Sequence, residues 1–191
     1  DELKAKYYEV INVLENSYDG EVNTPDVQRL KGMIREFEEE LVWAYNGVSV
    51  KNVHHLHLGF YQDKGITKGP NMQRYVMPIL NQFREIQPDI ISVTLDPEGS
   101  GPDTHYKVLQ ATAAAVAEWS KEKDLSNVRI YGYRNVWFKF HPAEANMYVP
   151  VSLNALAVLD KSFAASYLSQ VKAEFPNPFY VNLLIQAPHI L

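Results

Sequence analysis

Apolar residues recur at helical spacing through the first 45 positions, then give way to short β-branched runs. Over residues 3–14, Leu3, Tyr7, Val10, Ile11 and Leu14 stripe one face of a helix, and Ser17-Tyr18-Asp19-Gly20 ends it. A second helix has a marked start: Thr24 as N-cap, Pro25 at the first helical position and Asp26 in the first turn. Its stripe is Val27, Leu30, Met33, Ile34, Phe37, Leu41, Val42 and Tyr45, and Asn46-Gly47 closes it. Residues 53–58, V-H-H-L-H-L, read as a strand, with a loop over 59–70. A helix is expected over about 71–87, where Pro78 should kink it or mark its true start.

The stretch 88–107 organises the rest. Ile90-Ile91-Ser92-Val93-Thr94-Leu95 reads as a strand buried on both faces of a parallel sheet. Asp96-Pro97 stops it, and Gly99, Ser100, Gly101 and Pro102 make a turn. Asp103 or Thr104 can cap a helix that starts near His105 and continues through the alanine-rich run 109–119. Residues 128–133 read as another strand, which 135–141 extends or follows with a separate one; 148–151 reads as a short strand. A helix over about 154–174 carries Leu156, Leu159, Phe163 and Tyr167 on one stripe. The tail, 176–191, has three prolines and an apolar patch at 181–185, and stays unassigned.

This order of elements predicts an α/β fold: one domain over 1–175, a three-layer sandwich around a mainly parallel sheet. The strands at 53–58, 89–95 and 128–133 should be parallel neighbours. Such chains normally open on a strand, and this one opens on two helices. The first strand is therefore expected upstream of residue 1, which would make the chain a fragment.

Composition narrows the function classes. Of 191 residues, 46% are apolar, enough for a sizeable core. The net charge of −5 is scattered, with no basic stripe for nucleic acid. Without cysteine, disulfide frameworks and thiolate sites are excluded. No apolar run reaches the ~20 residues of a membrane span. The first residues do not read as a signal peptide, so a cytoplasmic location is expected.

The candidate chemistry lies with histidine. On a strand, His55 and His57 would share one face and His54 the other, so two imidazoles could take a metal or simply be polar residues at a strand end. His141, after Trp137 and Phe140, would line a rim or serve the fold. His105 has the richer setting. A glycine-rich loop after a buried strand gathers Asp96, Glu98, Asp103 and His105 at the carboxyl edge of the sheet, where open α/β folds hold ligands. Histidine with carboxylates is a usual set for zinc in hydrolysis, and equally the loop could only cap a helix. The chain has no H-E-x-x-H, G-x-S-x-G, P-loop or G-x-G-x-x-G motif.

Three segments together resemble one family. I-R-E-F-E-E-E-L-V-W-A-Y-N-G-V over 34–48, N-V-H-H-L-H-L-G-F-Y-Q-D over 52–63, and P-D-I-I-S-V-T-L-D-P with G-P-D-T-H over 88–105 are similar, in order and spacing, to segments of LmbE-like (PIG-L) deacetylases. The likeness covers roughly residues 26–140. G-Y-R-N-V-W-F-K-F-H-P-A-E-A-N over 132–146 resembles more closely the deacetylase-like domain fused behind glucosamine-6-phosphate deaminase in some bacterial proteins. The resemblance implies a Rossmann-like sheet and a zinc-dependent hydrolase that deacetylates N-acetylglucosamine-type amino sugars. It implies His105 as the distal zinc ligand, and Arg35 and Asp63 as contacts to sugar hydroxyls. The chain departs from the family twice. It lacks the H-P-D-D motif that carries two zinc ligands and the general base, and Pro102 stands where a transition-state-stabilising histidine is expected. Little activity is then expected of this chain alone. Two other classes stay open: a non-catalytic sugar-binding or regulatory domain associated with glucosamine-6-phosphate deaminase, and a nucleotide-binding module, which would lack its glycine-rich loop. The expected partner is a small amino sugar, with no nucleic acid or membrane; homo-oligomerisation is left open.

Overall fold

The computed structural model describes residues 2–18, 21–60, 71–95, 103–134 and 140–170. In chain order the elements are α1 (Glu2–Asn16), α2 (Pro25–Tyr45), a 3-10 turn (Val50–Asn52), a π turn (Met72–Val76) running into α3 (Met77–Ile86), β1 (Ile90–Thr94), α4 (Asp103–Trp119), β2 (Arg129–Tyr133) and α5 (Leu153–Ser166). They fall into two compact units. One holds 1–55 and returns from 151; the other is built on 56–150.

The first unit contains α1, α2, the 3-10 turn and α5. Thr24 caps α2 as expected, its hydroxyl accepting from Val27 N at 3.4 Å, with Pro25 in the first turn. The apolar stripe of α2 does not form a core. Met33 (61% exposed), Ile34, Phe37 (60%), Leu41 and Tyr45 face outward, while Val27 and Glu38 are buried. The reason is where α5 docks. It meets the flank of α2 that carries Glu38, Glu39 and Asn46. Asn46 donates to Ser162 Oγ at 3.3 Å, Ser169 donates to Glu38 from N and Oγ at 2.7 and 2.6 Å, and Tyr167 O–H donates to Glu39. The buried residues of α5 are Ser162 and Ser166, whose small side chains allow close approach. Ser152 caps α5 by accepting from Ala155 N, and Tyr167 leaves the helical region after Ser166, so the helix is shorter than the expected 154–174.

The second unit holds a parallel β1–α4–β2 crossover with α3 packed against it. Pro78 explains how α3 begins. Proline cannot donate to the carbonyl four residues back, and the preceding turn widens to a π turn, in which Met77 N bonds to Met72 O. Val76, Ile79, Leu80 and Phe83 then recur at helical spacing and are buried. Opposite them, Ala111 and Ala115 are fully buried on α4, and Trp119, at 1% exposure, stacks at 5.3 Å from Phe83. α3 stops at Gln87, which takes left-handed φ +53 and precedes Pro88. Polar groups then tie the carboxyl ends of α3 and α4 together over Trp119. Arg84 donates two bonds to Glu122, at 2.9 and 2.5 Å, and Lys123, 5.2 Å from the Trp119 ring, donates to Gln87.

β1 and β2 pair from Ile90↔Arg129 to Thr94↔Tyr133. The architecture is thus mixed α and β around a small parallel sheet. Three expectations about the strands need correction. β1 is not buried on both faces: Ile91 and Val93 point into the core, while Ile90 is 55% exposed, so one face is covered. Residues 53–58 do not form a strand among the described residues. With no neighbour to ladder with, the segment runs irregularly, His57 turns to φ +49, and Leu56 and Leu58 pack against the core instead. Residues 148–150 are likewise irregular, and most of 135–141 lies outside the described residues. Among the described residues no helix is long and apolar enough to cross a membrane.

Two predictions follow from this core. Trp119→Ala leaves a large void against Phe83 and should destabilise the fold by about 3–5 kcal/mol in denaturant titration; a loss below ~1 kcal/mol would show that Trp119 is not a core anchor. The Arg84 hydrogen bonds hold the Glu122 carboxyl below its ordinary 4.5, against an opposing desolvation. A carboxyl depressed on folding stabilises above its unfolded value, and that stability is lost as pH falls through the lowered folded value. Wild type and Glu122→Gln should therefore differ in stability near neutral pH and converge in acid. A gap unchanged from about pH 7 to about pH 3 would exclude the pair as its source.

Candidate functional site

The carboxyl end of α2 is shaped by a glycine. Gly47 takes φ +83, a conformation that costs a side-chain-bearing residue about 1–2 kcal/mol. This lets Gly47 N bond to Ala44 O at 3.0 Å and Val48 N reach back to Trp43 O at 2.9 Å, a Schellman closure that brings Trp43 and Val48 together. The chain then folds through Val50–Asn52 and returns past α2. Between them opens a cavity of about 340 Å³, lined by Glu39, Trp43, Val48 and the segment 52–55.

Its polar groups are held in place. Glu39 and Trp43 are one helical turn apart, and Trp43 Nε1–H donates to Glu39 Oε1 at 2.6 Å. The other Glu39 oxygen accepts from the Tyr167 hydroxyl, so the carboxylate is fixed from two sides. His55, half-buried, has its Nε2 3.4 Å from Glu40 Oε1, while His54 is exposed. The arrangement offers a fixed carboxylate, an indole, an amide from Asn52 and two imidazoles around one hollow. That set suits recognition of hydroxyl and amine groups.

The residues singled out from the sequence are distributed otherwise. His105 is half-buried in the first turn of α4, the helix that follows β1. Asp103 and Thr104 belong to that turn instead of capping it, and Asp103 pairs with Lys107 at 2.8 Å. Arg35 is exposed on α2. Asp63, Asp96, Glu98 and Pro102 lie outside the described residues. Arg35 falls in the first unit and His105 in the second. His141 is used locally: its Nδ1 accepts from Ala143 N at 3.2 Å, and its own N–H donates to Glu144, which also pairs with Arg134 at 3.7 Å. Among the described residues no three His, Asp or Glu side chains cluster as a metal site. They do not, by themselves, fit a zinc ion.

The cavity residues Glu39, Trp43 and Asn52 went unremarked as a site in the sequence. The usable signal was the four-residue spacing of Glu39 and Trp43 just before Asn46-Gly47, with His54 and His55 downstream.

No family model matches the chain, and no solved structure matches it. A curated protein of Bacteroides thetaiotaomicron, named a glucosamine-6-phosphate deaminase-like protein, is 34% identical over 155 residues. The match takes in 78% of this chain and 23% of that relative, so the chain spans under a quarter of the relative's length.

The cavity depends on its turn. Gly47→Ala meets no neighbouring atom within 4 Å, yet its φ of +83 is strained for alanine. The substitution should cost about 1–2 kcal/mol in denaturant titration and loosen the Trp43 environment, read as a red shift of tryptophan emission. A neutral or stabilising result would contradict the left-handed closure.

Proposed function

We propose that this chain is an amino-sugar-handling domain of the LmbE-like deacetylase kind, a three-layer, Rossmann-like sandwich of which the parallel β1–α4–β2 unit is one part. The kinship with a deaminase-like protein supports amino sugars as the substrate class. The observation that carries the reading is the place of His105, in the first turn of the crossover helix after β1, where open α/β sheets hold their ligands. In this reading His105 supplies one neutral imidazole to a zinc ion, and Arg35 and Asp63 contact sugar hydroxyls. The other zinc ligands are not among the described residues. Zinc, when bound, would polarise the amide carbonyl and activate a water.

A second reading is favoured by the cavity beside Trp43: a sugar-binding domain without chemistry of its own, serving a glucosamine-6-phosphate deaminase. The two separate on metal. In the full-length protein, His105→Ala should lower bound zinc, measured by elemental spectrometry, and release of acetate from N-acetylglucosamine, each about tenfold or more. Equal zinc in both proteins would remove the deacetylase reading and leave the binding domain.

A further inference from the structure

We infer that the cavity beside Trp43 is a binding site for an unphosphorylated amino sugar, held through its protonated amine. The ligand class rests on the amino-sugar reading above; the location rests on this cavity alone. Three features argue for it. The volume, about 340 Å³, falls within the range of small-molecule sites. The Glu39 carboxylate is held by donors from Trp43 and Tyr167, which leaves its remaining lone pairs aimed without further ordering cost. An ammonium group is the natural complement of such a carboxylate, and an indole beside it attracts the same cation and packs the C–H face of a pyranose.

Charge sets the specificity. Among the described residues the lining carries Glu39 and includes no lysine or arginine, and His55 lies 3.4 Å from Glu40. A sugar phosphate would bring its dianion toward that carboxylate, and no guanidinium or ammonium among the described lining residues would receive it. An N-acetylated sugar would present a neutral amide where the carboxylate expects a cation. Asn52 and His54 remain to accept and donate to ring hydroxyls. The hollow therefore favours the free amine over the acetylated sugar, the neutral hexose and the phosphate.

The test is a titration of the 191-residue chain with glucosamine, glucose, N-acetylglucosamine and glucosamine 6-phosphate, by calorimetry and tryptophan fluorescence. Glucosamine should saturate, about tenfold or more tighter than each of the other three. Glu39→Gln and Trp43→Ala should each weaken glucosamine about tenfold, and Trp43→Phe less, because it keeps an aromatic wall. Circular dichroism checks that each variant folds. If Glu39→Gln does not, Asn52→Ala, outside the Glu39 hydrogen bonds, should still weaken binding. Equal affinity for glucose and glucosamine, tighter binding of the phosphate, or no saturation overturns the inference. So does unchanged binding in folded Trp43→Ala. A flat titration alongside zinc loss in His105→Ala would sink this site and leave the deacetylase reading standing; saturation with equal zinc in both proteins would do the reverse.

Discussion

The parallel unit depends on how closely α4 can approach α3. Ala111 and Ala115 offer nothing beyond a methyl group, so Ile79, Leu80 and Phe83 of α3 can fill the space between the two backbones. Trp119 then supplies, in one side chain at the far end, the volume that the alanines omit. Lys123 lies over its ring, and hydrogen bonds from Arg84 to Glu122 and from Lys123 to Gln87 join the helix ends beside it. β1 lies on this seam through Ile91. The sheet has a close approach of its own at Gly132, where a Cβ would come within 2.8 Å of the Leu95 side chain.

Much of this was legible in the chain. Thr24-Pro25-Asp26 announces α2 because each residue answers a local need of a helix start, whatever lies around it. Pro78 is similar: its missing N–H forces a break in the ladder, and the π turn is the form that break takes. The strand at 90–94 was readable from its β-branched run, that at 129–133 from its apolar residues, and α4 from its alanines. Each of these signals is local chemistry.

What failed to read is what depends on neighbours. Periodicity marked Phe37 and Leu41 as one face of a helix, but could not say that α5 would dock on the adjacent flank. The run of acidic residues at 38–40 looks like a solvated surface. Instead Glu38 is 4% exposed and accepts from Ser169, and Glu39 orients an indole. Residues 53–58 had the composition of a strand and, among the described residues, no strand to pair with. The cavity is legible only after the fact, because it needs the Asn46-Gly47 reversal to bring segment 52–55 alongside the helix that precedes it.

The serines of α5 have a consequence for how the first unit opens. Ser162 is fully buried and Ser166 nearly so, where most helices place leucine. The contact with α2 carries hydrogen bonds from Asn46 to Ser162 and, just past the helix, from Tyr167 and Ser169 to Glu39 and Glu38. Water can replace each of those bonds as α5 lifts, so little free energy separates the docked helix from a transiently released one. In the alanine-and-tryptophan seam of the second unit, the same excursion would expose hydrocarbon. The amides of α5 should therefore exchange with solvent through small local excursions, while those of α3 and α4 wait for global unfolding. The chain carries two grades of cooperativity, set by which small residue, serine or alanine, lines the contact.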